Sequence, residues 1–156
     1  MITLKGIIDE DFINYKKPSM VLMFPYCTFK CGIENCQNAK IADAKICNVQ
    51  PEDICVRYLH NYIAEAIVFQ GLEPLDSFSE VVELIDAIRN KFDIRADIVI
   101  YTGYDKHEII DKLDVISKYG NIIMKYGRYI PGDTLHFDEI LGVWLSSNNQ
   151  YAERLC

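Results

Sequence analysis

Cys27, Cys31 and Cys36 fall within ten residues, spaced C-x3-C-x4-C. Thiolates are soft donors suited to zinc and to iron-sulfur clusters, and three of them from one loop leave a metal position open for another ligand. An open position implies chemistry rather than scaffolding. Three readings of the loop compete: buried or solvated thiols, a zinc site that recruits Cys47, and an iron-sulfur cluster. Zinc loops usually bring their ligands as C-x2-C pairs, which this chain lacks throughout. The cluster is the stronger expectation.

The remaining titratable residues offer less. Cys47, Cys55 and Cys156 read as packing or surface thiols, with Cys55 inside a helix beside Ile54 and Leu59. His60, His107 and His136 stand apart with no paired ligand spacing, and no nucleophile or acid-base dyad emerges.

A loop of this kind needs a scaffold, and the apolar runs supply one. Met20–Phe24, Ala66–Phe69, Ile98–Tyr101, Asn121–Met124 and Leu141–Leu145 are short and mostly free of polar alternation, as central parallel strands are. Helical patterns lie between them at Pro51–Tyr62, Ser77–Phe92 and Lys106–Tyr119. Pro51 suits a first helical position, and Ser77-Phe78-Ser79-Glu80 reads as a capping box. In the second helix Val81, Leu84, Ile85 and Ile88 share a face, with Glu80, Glu83, Arg89 and Lys91 largely away from it. Strands and helices in alternation predict an α/β fold, with a curved or barrel-like, mostly parallel sheet and helices outside.

The unusual segments follow the strands: the cysteine loop, Gly71-Leu72-Glu73-Pro74, Tyr101-Thr102-Gly103-Tyr104, Lys125-Tyr126-Gly127-Arg128 and Ser146-Ser147-Asn148-Asn149-Gln150. Carboxyl-end loops of parallel strands gather at one face, so a single composite site can draw on all of them.

The sequence as a whole bounds the setting. With 156 residues and 50% apolar content, one domain over residues 1–156 can bury roughly two thirds of its unfolded surface. No export signal or membrane-length apolar run is evident, and six cysteines without such a signal predict thiols in a reducing, cytoplasmic setting. Sixteen basic against 23 acidic residues give a formal charge of -7 with no basic cluster, so the composition does not favour a nucleic-acid partner, nor is a membrane partner expected.

On these motifs the protein resembles radical S-adenosylmethionine proteins, specifically the anaerobic ribonucleotide reductase activating family. That superfamily carries a C-x3-C-x2-C loop after its first barrel strand. Cys27, Cys31 and Cys36 match its ligands, with a second spacing of four residues instead of two. The resemblance implies a truncated (βα) partial barrel and a 4Fe-4S cluster held through three irons, the fourth left for S-adenosylmethionine. Gly71-Leu72-Glu73-Pro74 is similar to a Gly-Gly-Glu-Pro motif that contacts the cosubstrate's methionyl amine, with Leu72 at the second glycine. Asn35, where an aromatic residue often stands, and Gln37 flank the last cysteine and are candidate cosubstrate contacts, as are Gly71, Glu73, Thr102, Gly103, Lys125, Ser147 and Asn148. The implied partners are an anaerobic ribonucleoside-triphosphate reductase, as protein substrate, and a low-potential electron donor such as flavodoxin or ferredoxin. The alternatives are a radical enzyme for another glycyl radical partner or a small molecule, and a non-catalytic iron-sulfur or zinc module.

Overall fold

A computed structural model describes residues 1–28, 32, 34 and 39–156. Of the candidate residues, Cys31, Cys36, Asn35 and Gln37 lie outside those described. The strands are β1 (Ile2–Leu4), β2 (Gly6–Asp11), β3 (Ser19–Phe24), β4 (Cys47–Val49), β5 (Ala66–Gly71), β6 (Asp97–Tyr101), β7 (Ile122–Tyr126), β8 (His136–Asp138), β9 (Val143–Leu145) and β10 (Tyr151–Arg154). The α-helices are α1 (Pro51–Leu59), α2 (Phe78–Asp86) and α3 (Ile110–Ile116).

Six strands form one sheet in the order β10-β7-β6-β5-β3-β2. β3, β5, β6 and β7 are parallel, and β2 and β10 close the two edges antiparallel. The fold is therefore α/β with a mostly parallel sheet, open rather than closed into a barrel. β1 pairs with β4 and β8 with β9 in two small antiparallel ribbons. Among the described residues no helix is long and apolar enough to cross a membrane.

The apolar strands bury both faces. Met20, Leu22, Phe24, Ile67, Phe69, Ile98, Ile100, Ile122 and Met124 pack in one core with Ile54, Cys55 and Tyr58 of α1, Val81, Leu84 and Ile85 of α2, and Leu113 and Ile116 of α3. Alternate residues Val21, Ala66, Val68, Val99 and Ile123 pack with Tyr15, Leu141 and Leu145 on the other face. Each large apolar residue of these cores adds roughly 1.5–3 kcal/mol on full burial. The second face is covered by the Tyr15 segment and the β8–β9 hairpin, tied together where the Lys16 N–H donates to the Leu141 carbonyl over 2.7 Å.

Three expectations need correction. Leu141–Leu145 does not enter the parallel sheet, because its strand β9 pairs antiparallel with β8 and lies across the sheet's face. The Ser77 capping box does not form: Ser77 ends a 3-10 turn, Pro74–Ser77, that runs into α2, so it caps no free helix end. The Glu80 carboxylate instead accepts from the Thr3 N–H (3.2 Å) and hydroxyl (3.3 Å). Arg89 points inward, only 1% exposed, because α2 continues as a π turn over Ala87–Lys91 that shifts the helical phase. Its guanidinium donates to the carbonyls of Ile94 (2.6 Å), Gly120 (3.0 Å) and Asn121 (3.1 Å), clamping the end of α2 to the turn that starts β7.

Removing this clamp leaves acceptors unpaired. Arg89→Met should lower stability by about 3 kcal/mol in urea unfolding. Arg89→Lys should recover only part of it, since one ammonium cannot span three carbonyls.

Candidate functional site

The sheet ladder continues past the strand ends, and this builds the site. Beyond β3 and β5, the Leu72 N–H donates to the Phe24 carbonyl (3.1 Å) and the Glu73 N–H to the Tyr26 carbonyl (2.8 Å). Gly71 makes the approach possible: its φ is +102°, and a Cβ there would lie 2.6 Å from the Phe24 nitrogen. The glycine is therefore required by the protein's own backbone, so Gly71→Val would disturb the β3–β5 junction before any ligand was involved. Beyond β6 and β7, the Thr102 N–H donates to the Lys125 carbonyl (2.8 Å) and the Gly127 N–H to the Tyr104 carbonyl (3.2 Å).

These ends surround a cleft of about 210 Å³. Cys27, Gly71, Glu73, Thr102, Gly103 and Lys125 all line it. Gln150 joins them from the fifth segment, which reaches this face because it precedes the antiparallel strand β10. Ser147 and Asn148 do not line the cleft. The Ser147 hydroxyl accepts from the Ile130 N–H and donates to the Asn149 side chain, and Asn148 is exposed with its N–H on Asp133. It is Gln150 whose side chain is buried, accepting from the N–H groups of Ser146 and Ser147 and donating to the Gly127 carbonyl.

Glu73 is the electrostatic centre. Its carboxylate, 5% exposed, accepts from the Leu75 N–H (3.1 Å), the Thr102 hydroxyl (2.8 Å) and the Gly103 N–H (2.8 Å). Burial pushes its carboxyl up to about 6, against the lowering effect of the bonds from Gly103, Leu75 and Thr102. Lys125, 7% exposed, donates to the Gly127 carbonyl (3.0 Å) and lies 5.7 Å from the centre of the Tyr101 ring. Burial brings its ammonium down to about 8, with the charge of Glu73 opposing the drop. A buried carboxylate and a buried ammonium on one cleft suit a ligand carrying both charges.

A residue that spacing did not single out ties the cysteine loop to this wall. The Asp76 carboxylate accepts from the Thr28 N–H (3.1 Å), next to Cys27, and from the Tyr104 hydroxyl (2.6 Å). Arg128 stacks over the Tyr104 ring at 5.3 Å and pairs with Glu108 at 3.1 Å. No sequence signal marked Asp76, since nothing in its neighbours fixes where its side chain points. At the opposite end of the sheet, Asp97 receives bonds from Tyr15 (2.9 Å), Lys17 (3.2 Å) and Arg154 (3.2 Å). Burial raises the Asp97 carboxyl and those bonds outweigh it, which marks a structural anchor.

Cys27, at the cleft edge, is half-buried, and none of the described cysteines is in a disulfide. Cys55 is fully buried in α1, and burial pushes its thiol up to about 11, which suits packing and not ligation. Among the described residues no three His, Cys, Asp or Glu side chains gather as a metal site.

Two outcomes follow. Between pH 4.5 and about 6 the folded Glu73 holds a proton that the unfolded protein releases, so its contribution to stability falls as pH rises through that window. The difference in unfolding free energy between wild type and Glu73→Gln should therefore shift against the wild type by on the order of 2 kcal/mol across it, other carboxylates cancelling. Asp76→Ala should release the cysteine loop and speed loss of bound iron to a chelator roughly fivefold.

No curated protein and no solved structure matches the sequence. The family model of a 4Fe-4S single cluster domain matches it over residues 18–150, from the first parallel strand through all three loop cysteines to Gln150. The thiol at the cleft edge has the soft donor character that iron requires. The chain belongs to the 4Fe-4S single cluster domain family.

Proposed function

We propose that this cluster domain is a radical S-adenosylmethionine activating enzyme for an anaerobic ribonucleotide reductase, with Cys27, Cys31 and Cys36 as ligands to three irons. The observation that carries the reading is the shared cleft: Cys27 opens on the same space as Glu73, Thr102, Gly103 and Lys125. The open sheet, with its helices on one face, is read as a partial barrel of that superfamily.

Cys27, Cys31 and Cys36 would hold the cluster, which, reduced by a low-potential donor such as flavodoxin or ferredoxin, would supply the one electron needed to cleave S-adenosylmethionine to methionine and a 5′-deoxyadenosyl radical, for abstraction of a glycine Cα hydrogen from the reductase. The protein's own residues bind and orient. Glu73 presents a carboxylate to the methionyl ammonium, held in place by Thr102 and Gly103. Lys125, largely buried in the cleft wall, presents an ammonium to the carboxylate or ribose. Asp76 fixes the cysteine loop relative to both. Docking of the partner over the cleft would shield the radical from solvent and hold the glycine within reach.

Anaerobic reconstitution should load about four irons and four sulfides per protein molecule, and Ala at Cys27, Cys31 or Cys36 should each abolish this, with Cys47, Cys55 and Cys156 dispensable. The loaded, reduced protein should release methionine and 5′-deoxyadenosine, and Glu73→Gln should weaken cosubstrate binding about tenfold. With a reductase from the same source, a glycine-centred doublet should appear by electron paramagnetic resonance. One tightly bound zinc without labile sulfide would remove the cluster ligands named here. Cosubstrate cleavage with an unchanged reductase spectrum would favour a small-molecule substrate or another partner.

A further inference from the structure

On the sheet face away from the helices, residues line up across the parallel strands in rows. The row Val21, Val68, Val99 and Ile123 is apolar and sealed by Tyr15, Leu141 and Leu145. Two residues further along, on the same face, stand Met23, Gln70, Tyr101 and Lys125, with Met23 in register with Gln70 and Tyr101 with Lys125. Gln70, Tyr101 and Lys125 line the cleft. A glutamine directly after such an apolar row is not explained by packing.

Its neighbours have internal partners. The Tyr101 hydroxyl donates to the Asn14 carbonyl and the Lys125 ammonium to the Gly127 carbonyl. The Gln70 side-chain oxygen is out of reach of solvent and has no hydrogen-bond partner among the described residues. Ser77 Oγ and His136 Nε2 share that condition among the described residues, but neither residue lines the cleft. A buried acceptor left unpaired lowers stability, and native proteins keep few of them. The last torsion of a glutamine is broad, so its carboxamide can turn toward the cleft when a donor arrives.

We propose that Gln70 is the residue that holds the peptide group of the protein substrate, its carboxamide accepting from a backbone N–H and donating to a backbone carbonyl beside the target glycine. This rests on the activating-enzyme reading above. Glycine has no side group to recognise, so at the target residue itself only the backbone offers a donor and an acceptor. A carboxamide complements both at once. Fixing a peptide plane next to the glycine fixes the position of its Cα and narrows the directions its C–H bonds can take, which favours hydrogen transfer.

The test uses Gln70→Met, close in size and without polar ends, in the cluster-loaded protein with its reductase and S-adenosylmethionine. Glycine-centred spins formed per 5′-deoxyadenosine released should fall about tenfold relative to wild type. Without partner or cosubstrate, the urea midpoint of Gln70→Met should equal or exceed that of wild type, because the oxygen it removes is unpaired there. A wild-type ratio in the variant, or a lowered midpoint that reveals an internal donor, overturns the proposal while leaving the activating function intact. Wild-type protein that cleaves cosubstrate but forms no glycine-centred radical removes that function, and this proposal with it.

Discussion

The site depends on one close backbone approach, where Gly71 comes against Phe24 at the carboxyl ends of β5 and β3. Only a residue without a Cβ, at φ +102°, lets Leu72 and Glu73 continue the ladder onto Phe24 and Tyr26. Two consequences follow from that geometry. The cysteine loop leaves the sheet beside the glutamate, and the glutamate turns back under the sheet edge into the cleft. Neither would hold if the two strand ends splayed.

Given that approach, the electrostatics follow. Glu73 is taken out of water and compensated by two N–H groups and a hydroxyl, with no cation at contact distance among the described residues. Lys125, two strands away, is buried with a carbonyl and an aromatic ring as its company. The protein keeps two opposite, buried charges apart on one polar cleft, an arrangement that favours a zwitterionic ligand over either charge alone. Asp76 then couples the wall of this cleft to the cysteine loop through Thr28 and Tyr104.

The central scaffold was legible because its signals are local. Four apolar runs became the four parallel strands, and the spacing of Val81, Leu84 and Ile85 marks the buried face of α2, which Ile88 continues from the π turn. The same reasoning misplaced Leu141–Leu145, whose composition matches a central strand while its partner is β8. Hydrophobicity reports that a segment is buried and not what it pairs with. Arg89 departs from expectation for a related reason, since a helical period carried through Ala87–Lys91 takes no account of a π turn. The half-polar strand β2 and the short strands β1, β4, β8 and β10 give no period to read.

The sequence by itself determined that three thiols would share one loop, that this loop would follow a buried strand, and that Gly71-Leu72-Glu73-Pro74 would follow the next, because ligand type, apolar runs and turn residues act over a few positions. Tertiary structure alone decided which polar residues face the cleft. Gln150 enters it while Asn148 faces solvent, Asp76 reaches Thr28 across 48 positions of sequence, and Gln70 is left with an unpaired oxygen. The orientation of a single polar residue is set by what the folded sheet brings beside it, and no spacing along the sequence encodes that neighbour.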